Sequence, residues 1–180
     1  MRWRNHHNGW GGVAITLHWL SALTVFALFG LGLWMTSLGY YDPWYRKGPD
    51  LHRSIGVLLF IATVVRLGWR FVSPPPPPLA SHKAWERLAA TAVHVLLYLL
   101  LFAIMLSGYL ITTADGRAVH VFDWFSIPAT LTGENQEDVA GAVHLLLAWS
   151  LITLVVLHAG AALKHHFIDR DSTLRRMFGL

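Results

Sequence analysis

Four apolar runs, at residues 15–35, 55–71, 88–111 and 143–163, take up nearly half of the 180-residue chain. Each is close to the ~20 residues that a helix needs to cross the hydrocarbon of a bilayer. Lipid offers no water to satisfy backbone N–H and C=O groups, so such runs are driven into helices. Only 13% of the residues are charged, about half of what a soluble domain carries, and 54% are hydrophobic. The expected fold is therefore an all-α integral membrane protein, an antiparallel four-transmembrane-helix bundle. It forms one domain over residues 1–180, with helices at about 14–37, 52–72, 86–112 and 139–167.

The connectors fit that plan. Five consecutive prolines, Pro74 to Pro78, forbid helix continuation and force an extended link between the second and third runs. Residues 115–138 hold Gly116, Pro128 and Gly133 in a polar stretch, expected to be an extramembrane loop with a short surface helix around residues 122–125. The first run follows Arg2 and Arg4, as a signal peptide's apolar core would, but it is long for one and no small-residue cleavage pattern follows it. It is expected to stay as a span.

Basic residues orient the bundle. One side holds ten of them: Arg2, Arg4, Arg66, Arg70, Lys83, Arg87, Lys164, Arg170, Arg175 and Arg176. The other holds four, Arg46, Lys47, Arg53 and Arg117. The positive-inside rule then puts both termini in the cytoplasm, in a bacterial inner membrane. The formal charge of +4 is spread over the ends of the runs and forms no basic stripe, so no nucleic-acid partner is expected and the surrounding partner is membrane lipid. There is no cysteine, which removes iron–sulfur clusters and thiolate ligation.

Histidine is costly inside lipid, and this chain has eleven. His144 and His158 are fourteen residues apart on the fourth run. At ~100° and 1.5 Å per residue that interval brings both side chains to one helix face, ~21 Å apart along the axis. Such a spacing suits two stacked sites and is too long for one metal cluster. An iron porphyrin takes an axial ligand on each face, which facing helices of a bundle can supply. At the outer level only His52 can partner His144, whereas at the inner level either His18 or His94 could partner His158. The same interval leads from His18 to Gly32, from His52 to Arg66 and from His94 to Gly108. Glycine would let backbone approach a haem plane, and Arg66 inside a span needs an anion such as a propionate.

Other roles compete. A single intramembrane histidine is often a hydrogen-bond donor between helices, which is the better reading of His94 taken alone. Zinc or copper would need three or four ligands at one level with carboxylates or thiolates nearby, and the spans have neither. Four histidines matched at two depths favour haem.

The segment from His158 through Lys164-His165-His166-Phe167 to Asp171-Ser172-Thr173-Leu174-Arg175-Arg176-Met177 resembles the bacterial cytochrome b561 family. Thr16-Leu17-His18-Trp19-Leu20 is similar to that family's first-helix ligand motif. Leu51-His52-Arg53-Ser54-Ile55-Gly56 and Val64-Val65-Arg66-Leu67 are similar to its second. The likeness runs from about Ile15 to Met177. It implies two haems b, one ligated by His18 and His158 and the other by His52 and His144, with His94 left to a supporting or propionate role. It also implies electron exchange with ubiquinone. Short free-standing members include a superoxide oxidase, and longer ones serve as cytochrome subunits of hydrogenases and formate dehydrogenases.

Bis-histidine iron has no open position, so electron transfer is expected to be outer-sphere, with no catalytic side chain. Arg53, Arg46 and Lys47 form the candidate patch for steering anionic superoxide or another donor. Lys164, His165 and His166 are the candidates for binding quinone and relaying protons, unless they only anchor the helix end at the interface. The competing function is a non-catalytic electron-transfer subunit for a partner dehydrogenase or hydrogenase.

Overall fold

A computed structural model describes residues 2–180. It contains α1 (Gly12–Met35), α2 (Lys47–Val72), α3 (Ala84–Thr113), β1 (Val119–Val121), β2 (Phe125–Ile127), α4 (Gln136–Phe167) and α5 (Thr173–Arg176). The first three helices and α4 are each long and apolar enough to cross a membrane.

Local chemistry sets the helix ends. The Thr36 and Ser37 hydroxyls donate to the Leu33 and Trp34 carbonyls and close the last turn of α1. The second helix starts at Lys47, ahead of the expected 52, because Pro49 falls in its first turn, where no intrahelical N–H is required. It stops at Val72, just before the proline run. The Lys83 N–H donates to the Glu86 carboxylate at 2.9 Å, a reciprocal cap that starts α3. Glu137 and Asp138 lie in the first turn of α4 and Lys164, His165 and His166 in its last, each sign at the pole of the helix dipole that favours it.

Contacts group the chain into two compact units. Unit 1 comprises Met1–Ala22, Ala62–Leu99 and Thr153–Leu180; unit 2 comprises Leu23–Ile61 and Leu100–Ile152. Unit 1 thus packs the start of α1, the end of α2, the start of α3 and the end of α4, which requires successive helices to alternate in direction. Unit 2 packs the complementary four segments in the same alternation.

The helices bury small hydroxyl residues and turn large apolar ones outward, as expected of a protein solvated by lipid. Ser21, Ser54, Thr63, Ser107 and Thr113 are buried, while Leu23, Phe26, Val65, Leu99, Leu146 and Val156 are exposed. Ser21 and Thr113 return their hydroxyls to the Leu17 and Tyr109 carbonyls one turn earlier, which satisfies them without water.

The loop before α4 corrects one expectation. Residues 122–125 form no surface helix; residues 122–124 are the turn and Phe125 the first β2 residue of an antiparallel hairpin with the register Val119↔Ile127, His120↔Ser126 and Val121↔Phe125. The alternation Val119-His120-Val121 has the two-residue period of a strand, and Val119 and Val121 are the buried members. Phe122 and Asp123 both adopt positive φ, at 47° and 60°, the backbone of a turn that follows strand twist. Ser54 of α2 holds the hairpin, accepting from the Phe122 N–H at 3.2 Å and donating to the His120 carbonyl at 3.4 Å.

Candidate functional site

Each unit contains a pair of facing imidazoles. In unit 2, His52 of α2 and His144 of α4 have ring centres 6.2 Å apart and planes at 69°. In unit 1, His18 of α1 and His158 of α4 have ring centres 6.3 Å apart and planes at 71°. An imidazole nitrogen binds a first-row metal at about 2 Å and lies ~1.1 Å from its ring centre, so two ligands across one metal put their ring centres about 6.3 Å apart. Both pairs meet that separation. His94 lies 5.2 Å from His158, about an ångström too close for iron to sit between them.

The surroundings of the unit 2 pair suit a macrocycle. A cavity of about 860 Å³ is lined by His52 and His144 together with Gly32, Gly56, Gly108, Phe60 and Leu151 among others. The two glycines expected to face a haem plane lie against the imidazoles. A Cβ at Gly32 would come 3.3 Å from His52 Cε1, and one at Gly108 would come 3.2 Å from His144 Cε1. These glycines make room for the imidazole rings. His144 Nδ1 is 3.0 Å from the Ile104 carbonyl and 3.0 Å from Ser107 Oγ. A carbonyl can only accept, so Nδ1 carries the proton and Nε2 keeps a free lone pair. The buried His52 Nδ1 has no hydrogen-bond partner, as a ring awaiting a further group would.

Unit 1 is arranged differently. Arg66 Nη2 is 2.9 Å from His18 Nδ1. A guanidinium only donates, so His18 Nδ1 accepts and the neutral ring carries its proton on Nε2. Ligation through Nε2 therefore requires Arg66 to release Nδ1. Arg66 and Arg70 both lie over the Tyr98 ring, at 5.7 and 5.9 Å, and the buried Tyr98 hydroxyl has no partner. No carboxylate pairs with either arginine among the described residues, so two cations at intramembrane positions lack an anion. Haem propionates would supply it. The donor sets of both units thus fit haem b.

The residues expected to serve quinone divide. Lys164 Nζ is 3.1 Å from Glu86 and 2.6 Å from Asp169. His165 Nδ1 is 2.7 Å from Asp169 and 3.1 Å from Asp171, and His82 Nε2 is 3.0 Å from Asp171. Burial alone would raise the Asp171 carboxyl, but Thr173, His82 and His165 together hold it below the usual carboxylate range. Lys164 is therefore committed to neighbouring acids, whereas the buried Nδ1 atoms of His165 and His166 make no hydrogen bond. The steering residues divide as well. Arg53 pairs with Asp50 and Lys47 lies 5.9 Å from the Trp44 ring centre, while Arg46 is exposed with no ion pair among the described residues. At the cavity's edge Arg117 pairs with Asp115.

Sequence reasoning did not find Ser107, the Ile104 carbonyl or Tyr98. Ser107 stands one residue before Gly108, but nothing in its type marks it as a partner of a histidine on another helix.

Residues 9–180 match the family model described as prokaryotic cytochrome b561. Cytochrome b561 homolog 2 of Escherichia coli (strain K12) is 55% identical over 180 residues, covering 99% of this chain and 96% of the relative. Cytochrome b561 homolog 1 of the same organism is 30% identical, covering 94% and 97%. A Yersinia pestis protein named Probable superoxide oxidase CybB is 29% identical, covering 95% and 96%.

Proposed function

The chain belongs to the prokaryotic cytochrome b561 family, and from that premise we propose that it holds one haem b in each unit and oxidises superoxide while reducing ubiquinone. At the family level it is a multi-pass membrane protein of electron transfer, with haem b as its cofactor. The two imidazole pairs, alike in separation and angle, carry the finer reading.

In this reading His52 and His144 would hold one iron and His18 and His158 the other, Arg66 and Arg70 would bind propionates, and His94 stands beside His158. The haems, when bound, would supply one-electron couples. Two superoxide anions each lose one electron and leave as dioxygen; ubiquinone takes up both electrons with two protons and leaves as quinol. No protein group forms a covalent bond, so none is a catalytic nucleophile or base toward superoxide. Ile104 and Ser107 fix the His144 ring, and Gly32 and Gly108 admit the imidazoles. His166 is the group we assign to the quinone, through its unpaired Nδ1, with Lys164 and His165 holding the helix end beside it.

The distribution of basic residues supports cytoplasmic termini in a bacterial inner membrane, with Arg46, Lys47 and Arg53 on the periplasmic side. Arg46 and Lys47 are the stronger contributors to steering, because Asp50 offsets Arg53.

A second reading, a cytochrome subunit serving a partner dehydrogenase or hydrogenase, draws on that same offset. Arg53 and Arg117 are both paired with aspartates, which weakens attraction of a small anion. One experiment separates the two readings. The purified chain in detergent is exposed to a superoxide generator while its haem absorbance is followed, and ubiquinone is then added. Rapid reduction, abolished by superoxide dismutase and reversed by quinone, is expected. A protein that stays oxidised under superoxide yet accepts electrons from a chemical reductant would favour the subunit reading.

A further inference from the structure

We propose that His82, His165 and Asp171 form a binding site for a first-row divalent cation, zinc being the best match to two imidazoles and one carboxylate. The three residues come from separate parts of unit 1: the connector before α3, the last turn of α4 and the segment leading to α5. Their ligand atoms all lie within 4.8 Å of one another. A tetrahedral zinc with bonds of about 2.0–2.1 Å sets its donors ~3.3 Å apart. Here His82 Nε2 and His165 Nδ1 are 3.0 and 3.1 Å from Asp171 Oδ2, close to two edges of that tetrahedron.

The His165 nitrogen is the most telling member. It is buried and close to two carboxylates, yet it makes no aligned hydrogen bond to either. A lone pair directed into the space between the three side chains accounts for that better than an ion pair does. The His82 and His165 rings face each other at 4.6 Å with a 36° tilt, as two ligands of one ion can. A neighbouring trio, Glu86, His165 and Asp169, also has ligand spacing, but the Lys164 ammonium already serves as its cation. That leaves Asp171 as the carboxylate for a metal, with a fourth position for water.

Bound there, the ion would tie the connector to the C-terminal segment, which already meet through Arg176 Nη1 donating to the Pro77 carbonyl at 3.2 Å. The site stands apart from the haem ligands and does not depend on the redox reaction.

The test uses the full chain purified in detergent with a tag free of histidine, equilibrated with zinc chloride, desalted and analysed for zinc by mass spectrometry. About one zinc per chain is expected in the wild type, falling at least tenfold in His82→Ala and in Asp171→Asn. The haem spectrum of each variant reports whether it has folded. His6→Ala combined with His7→Ala should leave the zinc content unchanged. Added zinc should also slow proteolysis of the segment after residue 167 severalfold in the wild type and not in the variants. Zinc content equal in the wild type and both variants, or loss only in the His6/His7 variant, would overturn the site.

Discussion

Units 1 and 2 hold imidazole pairs of nearly the same geometry in opposite electrostatic settings. In unit 2 the His144 proton is fixed on Nδ1 by a backbone carbonyl, and the cavity's cations, Arg53 and Arg117, have their own aspartates. In unit 1 an arginine sits on the ligand ring itself, and Arg66 and Arg70 have no carboxylate. Matching ring separations thus do not make matching sites. Unit 1 offers arginines without acid partners to a propionate, whereas the arginines at the unit 2 cavity are already paired. Positive charge stabilises the reduced form of a nearby iron, so an iron held by His18 and His158 would feel Arg66 directly.

The largest test of this contrast removes ligands. His18→Ala should lose one of the two haems, whereas His94→Ala should keep both, as measured by extracted haem per chain. Loss of haem from His94→Ala with retention in His18→Ala would exchange their roles. Next in size, Arg66→Gln should lower the potential of one haem by on the order of 50–100 mV, the effect of a unit charge in a partly buried site. The other haem should not move. A redox titration checks this, and equal shifts in both would erase the distinction between the units. Gly108→Ala comes third. Alanine gains about 1 kcal/mol of helix propensity over glycine. Its Cβ, however, would lie 3.2 Å from His144, so the ring must shift by a few tenths of an ångström. We expect severalfold faster loss of the unit 2 haem to an apo-acceptor, with unit 1 unaffected. The smallest effect belongs to Ser107→Ala, which leaves the Ile104 carbonyl in place to hold His144. A shift of one haem's potential by no more than ~20 mV is expected, since one neutral hydrogen bond is worth about 1 kcal/mol at most and half of it remains.

Apolar length alone made the four spans legible, because lipid leaves the backbone no alternative to helix. Helix ends were less so: Pro49 reads as a breaker, yet in a first turn it costs nothing, and α2 starts at Lys47. The hairpin at residues 119–127 escaped notice because three-residue strands are too short for a period to stand out among loop residues. Among the histidines, position along the chain assigns depth but not facing. That is why His52 could be paired with His144 by elimination, while only the family resemblance separated His18 from His94, a choice with which the ring separations of 6.3 and 5.2 Å from His158 agree. The His82–Asp171 contact joins residues 89 apart in two irregular segments, where no periodicity operates.

The most direct measurement is the haem content of the purified chain with α4 altered, since α4 contributes one imidazole to each pair. The account predicts about two haems b per chain in the wild type, one in His144→Ala, one of different potential in His158→Ala, and none when both are replaced. A doubly replaced protein that still carries haem would contradict it.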